Sequence, residues 1–206
     1  MSLLTLEWLR PGLAEADEFE AQWSARPWAG VARLREEGAA SLALATQGGL
    51  SLGLSYGLSN RLDLCAELSL ASSAMTRFAD VMVSIDGGSA QRGELQRRSG
   101  GAQLAVGPIW RLGVAWVPVL AVTGGAGVRY RSDGELVGTG IVPASKRAEQ
   151  GLELVVATRL GLERRVSPRF TVGVYASAQL GGGPALPLQA SLSGSFGVSY
   201  VYYPQW

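Results

Sequence analysis

The sequence predicts an all-β fold: a closed antiparallel up-and-down barrel of eight strands. Three observations lead there. From Gly49 onward large apolar residues alternate with small or polar ones, the spacing of strands with one apolar and one polar face. The connections between these segments alternate short and long, so one end of the sheet is trimmed and the other carries loops. The polar face is built mainly from Gly, Ser and Ala, and the whole chain has one Asn and one Lys. A water-facing sheet would carry more of the latter kind. Small residues fit the crowded lumen of a small closed barrel, which leaves the bulky face for lipid and makes the barrel transmembrane.

The first 27 residues read as a separate acidic segment, with a short helix or tail over 13–23, and residues 28–206 as the barrel. Residues 28–35 alternate weakly and serve as the first strand. They turn through Glu36-Glu37-Gly38 into a long second strand from about 40 to 58. Here Leu50, Leu52, Leu54, Tyr56 and Leu58 oppose Ser51, Gly53, Ser55 and Gly57. Ser59-Asn60-Arg61 marks a tight hairpin. Leu62, Leu64, Ala66, Leu68 and Leu70 then oppose Asp63, Cys65, Glu67 and Ser69. Further alternating runs lie around 103–112, 116–130, 152–163, 170–180 and 191–202, which completes eight. If Gln47-Gly48-Gly49 is a turn and residues 3–8 form a strand, the count becomes ten. Short turns fall near 59–60, 113–115 and 165–168; long polar loops fall at 74–99, 132–149 and 181–189. The first of these loops reads as a mobile or extended hairpin. Pro108 and Pro118 each remove a ladder donor and are placed close to strand ends.

Composition excludes several function classes. There is no histidine, so no Ser-His-Asp triad, Cys-His pair or His-ligated metal site can form. The net charge of +1 does not suit a general nucleic-acid binder. A single cysteine, Cys65, forbids an internal disulfide framework and reads as a space-filling residue. No apolar run approaches the length of a spanning helix; residues 114–122 are the longest and contain Pro118. The amino terminus has neither the basic start nor the apolar run of a signal peptide. The expectation is a cytoplasmic protein or a mature chain whose export signal has been removed. Gly124-Gly125-Ala126-Gly127 lies in a strand with no helix after it, so it reads as close strand packing rather than a dinucleotide site. Val137-Gly138-Thr139-Gly140 with Ser145-Lys146 lacks phosphate-loop spacing.

Tyr56, Trp110, Trp116, Tyr130 and Phe170 lie near strand ends on the apolar face, where aromatic girdles meet the membrane–water interface. In hydrocarbon an open sheet edge is not viable, so such strands must close. On these residues the chain resembles the small bacterial outer-membrane β-barrels, porin-like envelope proteins with short periplasmic turns and long external loops. The hairpin Tyr56-Gly57-Leu58-Ser59-Asn60-Arg61-Leu62-Asp63-Leu64 is similar to those that recur in them. Ser195, Gly197, Tyr200 and Tyr202 fit the polar-x-Gly-x-x-aromatic-x-aromatic signal read by the barrel assembly machinery. The chain departs from the usual form by running on to Trp206. The resemblance implies an outer-membrane location, with lipids and that machinery as partners.

One constellation of charge falls on the polar face: Arg61, Asp63, Glu67, Arg111, Arg129, Glu153, Arg159 and Glu163. In a narrow lumen unpaired charge is expensive, so an internal salt-bridge plug is expected. The functional expectation is a non-enzymatic structural or interaction protein of the envelope, without cofactor, presenting its loops outward. An envelope protein bound through the N-terminal segment or the loops would be a further partner. The alternatives are a small channel or transporter for polar solutes, and a soluble calycin-like carrier with its bulky face turned inward around an apolar ligand.

Overall fold

Where a run such as 50–58 sets Leu and Tyr against Ser and Gly, only an extended chain separates the two sets cleanly. A computed structural model describes residues 19–84, 90–113, 116–138, 144–184 and 186–204. Its strands are β1 (Ala21–Leu34), β2 (Ala43–Ser59), β3 (Leu62–Ser73), β4 (Thr76–Ser84), β5 (Ala90–Arg97), β6 (Ser99–Arg111), β7 (Val117–Arg131), β8 (Gly134–Val137), β9 (Ala144–Lys146), β10 (Glu149–Ser167), β11 (Phe170–Gly183) and β12 (Leu186–Tyr202). Eight of them, β1, β2, β3, β6, β7, β10, β11 and β12, form a closed antiparallel barrel. The seam closes where β1 pairs β12, from Ala21 opposite Tyr202 to Arg33 opposite Ala190.

The bulky face points outward. Leu152 and Leu154 are 71% and 72% exposed, while Ser51, Ser55, Asp63 and Arg159 are buried inside. This orientation excludes the soluble carrier, whose apolar residues would have to line the cavity. Between positions 152 and 162 the outward residues of β10 are Leu, Leu, Val, Thr, Leu and Leu, and Arg164 follows. That stretch advances about 33 Å, which a strand tilt of about 40° reduces to a band roughly 25 Å tall, the height of a hydrocarbon core.

The expected eight strands stand, and Gln47-Gly48-Gly49 runs inside β2; the ten-strand alternative is corrected. Three further expectations change. Residues 21–23 are strand, so β1 and the barrel begin at Ala21 rather than 28, and a helix over all of 13–23 is excluded; residues 1–18 lie outside the described residues. The connection at 181–189 is not a long loop, because β11 and β12 stay paired as far as Gly183 opposite Leu186. Pro108 sits three residues inside the end of β6, and Gly107 and Pro108 are left out of the β6–β7 ladder between Val106↔Gly124 and Ile109↔Ala121. Pro118, second in β7, is near a strand end as expected.

The two other long loops fold into a second sheet, β4-β5-β8-β9. Phe78, Val81, Leu95 and Leu136 from this sheet pack on Ala32, Leu34, Ala43 and Ala45, which line the inner side of the extended β1–β2 ends. The result is a cap with its own apolar core, set over one mouth of the barrel.

Candidate functional site

The lumen is organised as charged layers. Nearest the short turns, Arg165 pairs with Glu20 at 3.1 Å, and Tyr203 donates a hydrogen bond to the same carboxylate at 3.1 Å. Above them Arg111 lies between Asp63 and Glu163, with Nε 2.9 Å from Glu163, and donates to Gln22 at 3.2 Å. Tyr175 donates to the other oxygen of Glu163 at 2.8 Å. Its ring lies between two guanidiniums, 5.7 Å from Arg26 and 5.6 Å from Arg159, in cation–π range. Both arginines converge on one oxygen of Glu67, Oε2. Such layers hold because each buried charge has an opposite charge against it; removing one member would strand the rest.

Tyr175 needs room, and glycine makes it. A Cβ at Gly161 would lie 2.2 Å from the ring, at Gly173 2.5 Å from the hydroxyl, and at Gly197 2.8 Å from both the ring and Arg26. Three adjacent strands thus supply a bare backbone cradle for one large side chain.

Above the Glu67 layer is a chamber of about 100 Å³. Its walls carry hydroxyls such as Ser177, Ser191 and Ser193, the Gln103–Gln179 amide pair, and one face of Trp28. Arg129 and Glu153 pair across its side at 3.2 Å. On the cap side lies Glu36, from the β1–β2 connection, whose side chain is fully buried. Glu36 meets Arg97 of β5 at 3.1 Å, Arg131 of β7 at 2.8 Å and Lys146 of β9 at 2.8 Å. Glu149 joins them, 3.3 Å from Lys146. Arg97 also donates to the carbonyls of Ser132 and Arg147, and Arg131 to that of Arg35, so the loops are tied through their backbones as well.

No family model matches the chain, and no curated protein matches it. Solved structures do. The attachment invasion locus protein Ail of Yersinia pestis is 17% identical, with 90% of this chain and 99% of that one covered at a TM-score of 0.50. The fold is that of the small bacterial outer-membrane barrels. Neisserial surface protein A is similar at 12% identity, covering 86% and 96% at a TM-score of 0.47. The outer membrane protease OmpT of Escherichia coli is similar at 8%, covering 90% and 97% at 0.47.

On this barrel the structure places seven of the eight expected lumen charges inside: Asp63, Glu67, Arg111, Arg129, Glu153, Arg159 and Glu163. Arg61 is the exception. It is exposed in the β2–β3 turn, where the chain reverses and the alternation of faces lapses. The seven are not one network, since Arg129–Glu153 stands apart from the rest across the chamber. The aromatics Tyr56, Trp110, Trp116, Tyr130 and Phe170 all face outward. All but Tyr130 lie at the short-turn end, together with Trp23 and Tyr200. Ser195 and Gly197 face the lumen, Tyr200 and Tyr202 face out, and Trp206 lies outside the described residues.

Sequence reasoning missed Arg26, Tyr175, Glu20, Gln22 and the whole mouth cluster. For Arg131 and Glu149 there was a signal, because they continue the inward parity of Arg129 and Glu153. Arg26 had none, lying in a segment assigned to the tail.

Proposed function

We propose that the protein is a non-enzymatic integral protein of the bacterial outer membrane, a structural or interaction protein that presents its four-stranded cap to the outside. The observation that carries this reading is the cap. Its loops are folded around their own apolar core and tied to the barrel mouth by Glu36, a preorganised surface on a rigid scaffold. The apolar band supports lipid as the surrounding medium. The missing histidine and the pairing of every lumen carboxylate just described support a role without catalysis. On this reading Ser195, Gly197, Tyr200 and Tyr202 of the last strand, with Trp206 beyond it, serve as the signal for the assembly machinery. A second envelope protein binding the cap is the partner that fits a surface of this kind.

Planar-bilayer recording separates this from the channel reading. A lumen crossed by ion-paired layers should give no steady conductance above the bare bilayer. A reproducible ohmic step in the native protein would make it a channel instead.

A further inference from the structure

We propose that the cap is a latched lid over a chamber for small anions, with Glu36 as the latch. The inference takes the barrel architecture from the reading above but does not need a binding partner for the cap. Three observations carry it. The first is convergence: the fully buried Glu36 holds cations from three separate segments, Arg97 on β5 at 3.1 Å, Arg131 on β7 at 2.8 Å and Lys146 on β9 at 2.8 Å, and the half-buried Glu149 of β10 backs the same three from farther off. Two of those segments belong to the cap and one to the barrel wall, so the Glu36 carboxylate is the tightest ionic tie between the lid and its frame, beside the apolar packing and the Ala39↔Val81 bridge. The second is that something lies beneath. The chamber of about 100 Å³ is several times the volume one water requires, and serine hydroxyls, glutamine amides and charged groups share its wall with alanines, Val155 and Trp28.

The third observation is charge. The chamber is lined by three guanidiniums, Arg26, Arg129 and Arg159, against two carboxylates, Glu67 and Glu153. The Nε of Arg159 is buried there with no hydrogen-bond acceptor among the described residues. At the mouth, Arg97, Arg131 and Lys146 face Glu36 and Glu149. Without the Glu36 charge three cations would face one carboxylate, so they would repel one another, and the widened mouth would favour negative solutes. Phe78 and Leu95 pack against Ala32, Leu34, Ala43 and Ala45 and hold the lid on the β1 side of the mouth.

The test measures access to the chamber wall in purified, detergent-folded protein. Ser191→Cys, in a Cys65→Ser background, places one thiol on that wall with little change in size. It is challenged with a negatively charged sulfonate thiosulfonate reagent and with its trimethylammonium counterpart. With Glu36 present both should react slowly. With Glu36→Gln the sulfonate reagent should react roughly tenfold faster or more, ahead of the cationic one. Unchanged rates, or a faster cationic reagent, would overturn the proposal. Gel mobility before and after boiling checks that the barrel is closed. Should Glu36→Gln not close, Lys146→Gln loosens the same latch from the other side. That variant balances the mouth charge, so labelling should quicken there with a smaller preference for the anion, and unchanged rates would again refute the latch.

Discussion

Tyr175 shows how tightly single residues are fixed in this lumen. Its hydroxyl satisfies Glu163 and its ring occupies space left by Gly161, Gly173 and Gly197. Tyr175→Phe should destabilise the barrel by about 1–3 kcal/mol, because a buried carboxylate oxygen loses its donor. Gly173→Ala should cost a similar amount by forcing the ring aside, about 1–3 kcal/mol. The two effects should not add. A Cβ at Gly173 would meet the hydroxyl at 2.5 Å and the ring carbon Cζ at 2.7 Å, so Tyr175→Phe removes the nearer of two contacts and Gly173→Ala should cost somewhat less in that background. Urea unfolding in lipid vesicles checks all three, and strict additivity would contradict this account of the cradle. Gly197 also gains a second meaning. It fits an assembly signal in the sequence, yet the space it leaves for Tyr175 and Arg26 is reason enough for a glycine there.

Among the elements, β1 explains what the sequence could and could not disclose. In β2 to β12 the barrel strands turn their odd residues inward, because paired residues such as Leu54↔Ala66 and Leu104↔Ala126 have the same parity. In β1 the register is odd against even, as in Ala21↔Tyr56 and Ala21↔Tyr202. Its even residues therefore face the lumen, Arg26 and Trp28 among them. Its outward face carries Ala25, Pro27 and Ala29 where the other strands have Leu or Val. The contrast of sizes that makes seven strands readable is reversed in the eighth, which is why the sequence pattern begins at 28 and the strand at Ala21. The cap was hidden for another reason: β4, β5, β8 and β9 are short, and the contacts that define them are tertiary. Its core can be probed directly. Leu95→Ala should loosen the cap by about 2–5 kcal/mol, raising protease cleavage within 76–97 while the heat-modifiable gel mobility of the barrel is unchanged. Loss of that mobility shift would mean that cap and barrel are one cooperative unit.

At the scale of the molecule, the two faces of the sheet make opposite demands on the same chain. The outward face must be uncharged and mainly apolar across the band, whereas the lumen must be small or paired. Val156 is near the middle of that band and fully on the lipid side. Val156→Arg should cost about 2–4 kcal/mol in a bilayer, measured as a shift in the urea unfolding midpoint in vesicles. A protein whose outer face met water would tolerate the change with almost no shift. Glycine, 28 residues of the chain, belongs to the same logic. At Gly107 and Gly125 an added Cβ would stand 2.0 Å from a carbonyl oxygen of the neighbouring strand, so the wall closes tightly because those positions are bare.

The seam between β1 and β12 also sets a clock. Every hydrogen bond in it joins residues near opposite ends of the chain, so none can form until the last strand has been made and delivered. Contacts of such long range are slow to find, and Pro27 faces that seam with one donor fewer, in a gap of the ladder between Ala25↔Val198 and Trp28↔Ser195. The sheet therefore spends its early life with two unpaired edges and an apolar face, the condition in which chains aggregate. Pairing of β1 with β12 is the one step that removes both edges at once.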